Sequence, residues 1–271
     1  MPLLSVSEIE KSVPALKGRT GLIRFLRHCL NIDDVSDLYD QICGNRGAAF
    51  ATAFLKEENI RCRITGGENL ERLPDGPFIT ISNHPYGALD GLMLIDLIGR
   101  RREGFKVMVN QFLTVIEALT PSLISVNPVT GDRGPGVTAA NIHGVKEVLQ
   151  TLREGRPVGF FPSGAVSDLH LRDLSISDRE WQMDIVRIIK KARVPVVPVR
   201  FFDRNSDFYY LLGLLSWKIR ILRLPTEVMN KKGQCPRIGI GPIISPEEQD
   251  AFSDMYRFRD FLRASVYGQK F

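Results

Sequence analysis

Long apolar runs are missing from this chain of 271 residues. Its longest uncharged apolar stretch, residues 208–217, is too short for the roughly 20 residues that a helix needs to cross a bilayer. The first 17 residues lack the basic-then-apolar layout of a secretory signal. The sequence therefore predicts a cytoplasmic protein, or a peripheral protein on the inner face of the cytoplasmic membrane.

Cysteine and histidine are scarce and scattered. The four cysteines form no C-x-x-C pair, and with no signal segment we expect reduced thiols. The four histidines show no zinc-ligand spacing either. The phosphate-binding P-loop and the dinucleotide motif G-x-G-x-x-G are also absent. The sequence therefore predicts no metal site and no nucleotide cofactor.

Charge is mildly unbalanced, with a formal net charge of +5. Such an excess suits an anionic membrane surface or an acidic carrier protein. Nucleic acid is not an expected partner, because no recognised nucleic-acid-binding motif occurs and most basic residues are spread out. One basic cluster, residues 100–102, is either a partner site or a solvated helix C-terminus favoured by the helix dipole.

Strand-like and helix-like runs alternate from about residue 60 onward. The strand-like runs are 62–65, 78–81, 106–109, 123–126, 158–161, 194–201 and 237–244. The helix-like runs are 91–102, 111–119, 138–153, 179–193 and 247–266. This alternation predicts an α/β fold with a central, largely parallel sheet flanked by helices.

The segment that precedes this alternation is helical in pattern. Between residues 22 and 30 an apolar face lies beside basic residues, which fits either a helix lying on a membrane or a helix packed on the domain. We therefore divide the chain into a helical extension, residues 1–58, with membrane association as one reading, and an α/β domain, residues 59–271.

The first chemical motif follows the run 78–81, which reads as a short buried strand. A turn rich in Asn, Pro and Gly comes next, and Asp90 stands near the N-cap of a helix predicted to begin at Gly91. His84 and Asp90 thus leave the same strand–turn–helix corner. An aspartate that accepts a proton from one ring nitrogen frees the other nitrogen to act as a general base. A single loop histidine is usually no more than that, so the prediction needs further motifs.

Two further motifs follow other predicted strands. Residues 160–167 read Phe-Phe-Pro-Ser-Gly-Ala-Val-Ser and come after a buried strand, as the His84 turn does. Such strand ends line the ligand crevice of an open α/β sheet. Residues 194–199 read Val-Pro-Val-Val-Pro-Val, and two prolines favour an edge or irregular strand that borders a groove.

Together the three motifs resemble the glycerolipid acyltransferase superfamily, of the lysophosphatidate acyltransferase type. Its motifs are N-H-x(4)-D, a phosphate-site segment ending in Arg, F-P-E-G-T-R-S, and V-P-(V/I)-x-P-V. The branch described as hemolysin-like or ornithine/glycine-lipid acyltransferases carries N-H-P-x-G-x-x-D-G and F-P-x-G-x-V-S, which residues 83–91 and 161–167 match. The resemblance spans residues 78–199, roughly half the chain.

The resemblance implies an acyl-transferring enzyme without a cofactor. His84 is expected to deprotonate an acceptor hydroxyl or amine as it attacks an acyl thioester of acyl-carrier protein or coenzyme A, while Asp90 orients the imidazole. The residues implied to contact substrate are Asn83, Gly87, Phe161, Pro162, Ser163 and Gly164. Backbone N–H groups near Gly87, or near Ser163 and Gly164, are the two candidates for stabilising the oxyanion.

Departures from the family pattern bear on the acceptor. Ser163 stands where the general family has Glu, and Val166 and Asn127 stand where it has arginines associated with the acceptor phosphate. Neither Val nor Asn replaces the bidentate fork of Arg. A lyso-aminolipid, whose head group carries a carboxylate, therefore fits better than lysophosphatidate. Arg133, in the Gly-rich loop 131–136, is either an anion contact or a solvated loop arginine.

The spacing between His84 and Asp90 is a further departure, since five residues separate them where the general family has four. The turn must bulge by one residue to keep the pair in contact. Three functions remain open: a lyso-aminolipid acyltransferase, a lysophospholipid or 1-acylglycerol-3-phosphate acyltransferase that uses Arg133 for phosphate, and a non-catalytic lipid-binding protein. The last would predict a broken His–Asp pair.

Overall fold

A computed structural model describes residues 17–126 and 139–271. Its strands are β1 (Arg63–Thr65), β2 (Ile79–Ser82), β3 (Lys106–Asn110), β4 (Leu123–Val126), β5 (Val158–Phe160), β6 (Asp168–His170), β7 (Ser175–Ser177), β8 (Val196–Phe201) and β9 (Arg237–Ile240). Seven of them form one sheet in the order β1-β9-β8-β2-β5-β3-β4, while β6 and β7 form a separate antiparallel hairpin. The strands from β8 to β4 run parallel, and only the β8–β9 pair is antiparallel. The predicted largely parallel sheet is confirmed.

Helices cover both faces of this sheet. They are α1 (Thr20–Cys29), α2 (Ile32–Ile42), α3 (Ala48–Glu57), α4 (Gly67–Glu71), α5 (Ala88–Gly99), α6 (Ala139–Arg153), α7 (Met183–Ala192), α8 (Asp207–Leu215), α9 (Trp217–Leu222), α10 (Leu224–Met229), α11 (Pro246–Asp250) and α12 (Met255–Tyr267). The last predicted helix is split in two because the Asp254 side chain accepts the N–H groups of Tyr256 and Arg257 and so starts α12 afresh.

The helix predicted over residues 111–119 is wrong. Two 3-10 helices, Gln111–Val115 and Glu117–Ser122, occupy this stretch instead. The Asn110 side chain caps the first by accepting the Phe112 N–H, and Pro121 has no N–H for an α-helical bond in the second.

Two apolar clusters, one on each side of the sheet, form the core. One contains Phe50, Phe54 and Ile95 from α3 and α5, and the other contains Val186 and Phe258 from α7 and α12. All four residues of β2 are buried, as expected for a central parallel strand. Helices α2 and α3 thus share a core with the α/β portion, and the division at residue 58 stays a prediction.

Helix α1 packs against α2 but leaves much of its apolar face uncovered. Ile23 is 1% exposed, whereas Phe25 is 63% exposed. Arg27 pairs with Asp33 at the start of α2. One side of α1 therefore packs on the domain, and its membrane reading stays a prediction. No helix in the two described ranges is both long enough and apolar enough to span a bilayer.

Strand β8 lies inside the sheet, between β9 and β2, so the edge position suggested by its prolines is wrong. The Val196 N–H donates to Ile244 O, on the side away from β2. Because N–H groups alternate along a strand, the N–H missing at Pro198 faces the same side. On that side Pro198 lies opposite Gly241, just past the end of β9, and its carbonyl accepts the Gly241 N–H, so the proline gives up only the reciprocal bond of this one pair.

Candidate active site

The catalytic corner begins where β2 ends, and Asn83 fixes that end to the neighbouring strand. Its Nδ2 donates to Phe201 O at 2.8 Å, and its Oδ1 accepts the Phe201 N–H at 2.8 Å. The side chain is buried, and both polar atoms of its amide are engaged by backbone. Asn83 therefore positions the following histidine, and its predicted contact with substrate stays a prediction.

The turn after His84 depends on a glycine. Gly87 has φ = +83°, and a Cβ there would lie 3.0 Å from Leu224 Cδ2 and 3.2 Å from Val166 Cγ2. Helix α5 then begins at Ala88, so that Asp90 lies inside its first turn. The Asp90 Oδ2 atom accepts the backbone N–H groups of Tyr86 at 2.8 Å and of Gly87 at 2.9 Å. The carboxylate thereby caps the helix and closes the turn.

His84 and Asp90 are in contact despite the longer spacing. His84 Nδ1 lies 3.0 Å from Asp90 Oδ2. The carboxylate is fully buried, while the imidazole retains 18% exposure. The ring N–H is not aimed along the line between the two atoms, so the contact is close but falls short of a linear hydrogen bond. Catalytic contacts of this kind commonly tighten when substrate binds.

Burial raises the pKa of the Asp90 carboxyl above its ordinary value. The nearby His84 ring and the N–H groups of Tyr86 and Gly87 lower that pKa and offset part of the rise. The other carboxylate oxygen, Oδ1, is buried without a hydrogen-bond partner among the described residues. A protonated His84 ring would therefore place a positive charge beside this carboxylate, which its hydrogen bonds satisfy only in part.

Phe161 forms one wall of the site. It follows β5 as His84 follows β2, and Ile81 of β2 is in register with Phe160 of β5. The Phe161 ring stacks on the His84 imidazole with centroids 4.1 Å apart and an interplanar angle of 29°. The first and second sequence motifs therefore meet at the histidine ring.

A second carboxylate, which no sequence pattern singled out, braces this corner. The Asp178 Oδ1 atom accepts the His84 backbone N–H at 3.0 Å and the Ser167 hydroxyl at 2.6 Å. Its Oδ2 atom accepts the Trp181 indole N–H at 3.1 Å. Asp178 is 2% exposed. It thus links the histidine backbone to the loop that carries the second motif.

The loop of the second motif is held mainly by its own backbone. The Ser163 hydroxyl donates to Ala165 O at 2.8 Å, and the Gly164 N–H donates to Phe161 O at 2.9 Å. Pro162 O accepts the Gln182 N–H at 2.9 Å. Gly164 has φ = +66°, and a Cβ there would overlap the Gln182 side chain. Pro162 and Ser163, which were predicted to contact substrate, thus form hydrogen bonds within the protein, and their contact with substrate stays a prediction.

Arg220 holds the far end of the same loop from helix α9. Its Nη1 atom donates to Ser167 O at 3.1 Å and to Asp168 Oδ1 at 2.6 Å, and its Nη2 atom donates to Val166 O at 3.3 Å. The residue is 4% exposed. The sequence motifs did not predict this role, because Arg220 lies far from them along the chain.

Among the predicted oxyanion donors, the Gly87 and Gly164 N–H groups are occupied. The Gly87 N–H is bonded to Asp90, and the Gly164 N–H is bonded to Phe161 O. The Ser163 N–H has no hydrogen-bond partner within the part of the chain that the structure describes. Of the three positions Gly87, Ser163 and Gly164, Ser163 is therefore the one whose N–H is not already engaged.

A groove of about 820 Å³ opens beside the catalytic turn. It is lined by Arg63, Tyr86, Phe202, Asp203, Arg204, Gln234, Cys235, Pro236 and Arg237. Asp203 pairs with Arg237 at 2.7 Å, and Asp207 pairs with Arg204 at 2.9 Å. Arg63 contacts the Phe271 ring but has no carboxylate within 4.0 Å among the residues described. The groove thus carries one uncompensated cation. Arg133 and Asn127 lie outside the described residues.

This corner brings together a buried carboxylate, a partly exposed imidazole and an adjoining groove. The chain belongs to an acyltransferase family, since the family model described as acyltransferase matches residues 9–271. The protein is therefore an enzyme that transfers acyl groups, and its expected place in the glycerolipid acyltransferase superfamily is confirmed.

Two named relatives and one solved structure are similar to this chain over most of its length. The chain is 24% identical over 256 residues to a lyso-glycine lipid O-acyltransferase of Bacteroides thetaiotaomicron, covering 91% of this chain and 89% of that protein. It is 25% identical to a protein of the same name from Phocaeicola vulgatus, covering 91% and 86%. A crystal structure of the 1-acyl-sn-glycerophosphate (LPA) acyltransferase PlsC from Thermotoga maritima is 16% identical, with a TM-score of 0.48 over 81% of this chain and 79% of that one.

Proposed function

We propose that the protein moves a fatty acyl group from an acyl thioester to the hydroxyl of a lyso-aminolipid of the glycine-lipid type. The contact between His84 and Asp90 carries the proposal, because it supplies a base beside an accessible groove. The names of the two relatives support the acceptor class. Val166 supports it too, since the family's phosphate-associated arginine is absent there. A non-catalytic protein would have no reason to keep the pair in contact.

The proposed chemistry starts at the second ring nitrogen of His84. Because Nδ1 faces Asp90, Nε2 is the atom that takes the proton from the acceptor hydroxyl. The hydroxyl oxygen attacks the thioester carbon, a C–O bond forms, and the C–S bond breaks. The proton then passes from the imidazolium to the departing thiolate. Base catalysis of this kind contributes about 10²- to 10⁴-fold in rate.

The tetrahedral intermediate carries a negative oxygen that needs a donor. The Ser163 N–H is the proposed one, because the Gly87 and Gly164 N–H groups already donate elsewhere while it does not. Phe161, stacked on His84, places the start of this loop against the reacting ring. A single oxyanion donor is worth about 10²- to 10³-fold in kcat.

The acceptor's carboxylate is proposed to bind in the groove next to Tyr86. Arg63 is the favoured contact, because its charge is not already matched by an acid among the described residues, unlike Arg237. A guanidinium binds a planar carboxylate through two parallel hydrogen bonds. The donor, acyl-carrier protein or coenzyme A thioester, stays a prediction.

The experiment that tests the acceptor compares initial rates for lyso-glycine lipid and lysophosphatidate with one acyl thioester. The proposal predicts a higher kcat/KM for lyso-glycine lipid, by about tenfold or more, because a matched charge-assisted contact is worth over 1.4 kcal/mol. A preference for lysophosphatidate would favour the lysophospholipid acyltransferase alternative and contradict the reading of Val166.

A further inference from the structure

The helical hairpin formed by α8 and α9 exposes an unusual amount of apolar surface. Eight large apolar residues of this hairpin are between 38% and 80% exposed: Phe208, Leu211, Leu214, Leu215, Trp217, Ile219, Ile221 and Leu222. Isolated apolar side chains on a surface need no explanation, but contiguous ones mark an interaction site. We call these eight residues the hairpin face.

Helix α8 is apolar on both sides. Tyr209 and Tyr210 are 0% and 1% exposed and pack inward. Phe208, Leu211 and Leu215 stand at helical spacing on the outward side and are at least 51% exposed. A helix that faces water on its outer side carries polar residues there. The outer side of α8 is therefore suited to an apolar environment.

A strained turn continues the hairpin face. Strand β6 packs against α8, and the turn from β6 to β7 carries Leu171 and Leu174, which are 66% and 73% exposed. Leu174 has φ = +54°, a conformation that costs a bulky residue free energy. Glycine or asparagine would suit this position better. A strained, exposed leucine at a turn tip points to contact with a partner.

Charge narrows the partner to an anionic lipid surface. The chain has a formal net charge of +5, and Lys218 is the basic residue of the hairpin that adds to it, since Arg220 and Arg223 are paired with Asp168 and Glu227. Basic residues combined with Leu, Phe and Trp are typical of helices that lie in the interface of an anionic bilayer. Trp217, 48% exposed, belongs to the residue type that concentrates at the level of the lipid headgroups.

The hairpin face adjoins the catalytic corner. Arg220, on α9, binds the carbonyl oxygens of Val166 and Ser167 in the second-motif loop. Leu224, just after α9, packs where a Cβ on Gly87 would fall. A lipid that leaves a bilayer touching this face would therefore reach the site over a short path.

We infer that the hairpin face, together with the β6–β7 turn, docks the enzyme on an anionic bilayer so that the acceptor lipid enters from the membrane. This surface is distinct from residues 1–58, for which membrane association is one of the two readings of the sequence. The choice of a bilayer as partner rests on the proposed function. The docking itself is measured without acyl transfer.

Tryptophan fluorescence tests the inference directly. The chain has two tryptophans, and Trp181 is only 1% exposed, so Trp217 dominates any change caused by vesicles. Vesicles of phosphatidylcholine with about 30% phosphatidylglycerol should shift the emission to the blue, and brominated lipids should quench it. Trp217→Phe should abolish the shift while the protein still floats with vesicles. Binding without any change in Trp217 emission would overturn the inference.

A charge variant provides the second measurement. Leu211→Glu combined with Leu215→Glu should weaken vesicle binding at least tenfold, because two charges would enter the apolar layer. Its thermal melting should match the wild type, since both side chains are exposed. Tyr256→Glu, at a 62% exposed position on α12, is the matched control and should bind vesicles normally. Normal binding by the Leu211/Leu215 variant would overturn the inference.

Two other occupants of this face are distinguishable. If the wild type failed to bind vesicles but formed a dimer, or a complex with acyl-carrier protein, that the double variant disrupts, the bilayer inference would be wrong. The proposed function can fail separately. Vesicle binding with no turnover of any lyso-aminolipid would contradict that function and leave the docking surface intact.

Discussion

The backbone N–H of Gly87 donates to the same Asp90 oxygen that lies 3.0 Å from the His84 ring. The turn and the catalytic pair therefore share one atom. The extra residue between His84 and Asp90 is accommodated because Gly87 takes φ = +83° and turns its N–H back toward the carboxylate. Turn geometry, and not the residue count alone, keeps this pair together.

Replacing this glycine should damage both stability and activity. Gly87→Ala places a Cβ 3.0 Å from Leu224 Cδ2 at a positive φ, and should cost about 1–3 kcal/mol of unfolding free energy. Acyl transfer should fall further than stability explains, because Asp90 loses its fixed orientation. Gly91→Ala is the control, since nothing lies within 4 Å of that Cβ in helix α5. It should be neutral or stabilising by up to about 1 kcal/mol. Urea denaturation and initial rates check both variants, and equal losses would contradict the strain argument.

Asp90→Asn should separate activity from stability. The amide can still accept the N–H groups of Tyr86 and Gly87, but it cannot stabilise a protonated His84. We expect kcat to fall by about 10³- to 10⁴-fold, as for other orienting carboxylates. The melting temperature should stay equal or rise, because a fully buried charge is removed. A variant with near-normal kcat would refute the orienting role.

The same variant predicts a pH dependence with a definite sign. Burial raises the pKa of Asp90 in the folded protein, so ionising it costs folding free energy. The protonated Asp90 carboxyl favours the folded state, and this contribution to the unfolding free energy is fully present below the ordinary pKa of about 3.9. It is lost as pH rises through the higher pKa that the carboxyl has in the folded protein. The melting temperature of Asp90→Asn minus that of wild type should therefore increase as pH rises from about 4 through the folded pKa of Asp90. A difference that shrinks over this range would reverse the assigned direction.

Asp178 is expected to act as a positioning residue. In Asp178→Asn an N–H₂ group would face either the Trp181 indole N–H or the donors from His84 and Ser167. Leaving such a buried donor unmatched should cost about 1–3 kcal/mol in unfolding free energy. The rate should fall while the KM for acceptor stays close to normal. Asp250→Asn, which removes an exposed partner of Arg193, is the control and should change stability by less than about 0.5 kcal/mol.

Arg63 should determine acceptor affinity. Arg63→Gln is expected to raise the KM for lyso-glycine lipid by about tenfold or more with little change in kcat, because it removes a charge-assisted contact remote from the reacting atoms. Arg187→Gln, on the exposed side of α7, should leave both constants unchanged. A normal KM in Arg63→Gln would place the acceptor carboxylate elsewhere.

Much of the fold followed from local sequence patterns. Strands β2, β4 and β5 were predicted within one residue at each end, because buried parallel strands are continuous apolar runs bounded by polar turns. The contact of His84 with Asp90 was also predictable, since both belong to one corner. The local rule that places proline in edge strands predicted the wrong position for β8. Pro198 is tolerated in an interior strand because it gives up a single bond, opposite Gly241 just past the end of β9.

The supports of the site had no comparable local pattern. Asp178 is 94 residues from His84 and sits in a polar stretch that reads as an ordinary loop. Arg220 lies in a segment whose alternating apolar and basic residues gave no clear assignment. The stacking of Phe161 on His84 depends on the order of strands in the sheet, which periodicity does not encode. Long-range pairing decides these contacts.

The base role of His84 is tested most directly by His84→Ala, assayed with a long-chain acyl thioester and lyso-glycine lipid. The mutated ring stacks on Phe161 and is only 18% exposed, so some loss of melting temperature is expected, while vesicle binding should stay close to wild type. The rate of acyl transfer should fall by about 10²- to 10⁴-fold. An unchanged rate in the folded variant would show that another group removes the proton and that the His84–Asp90 pair is not catalytic.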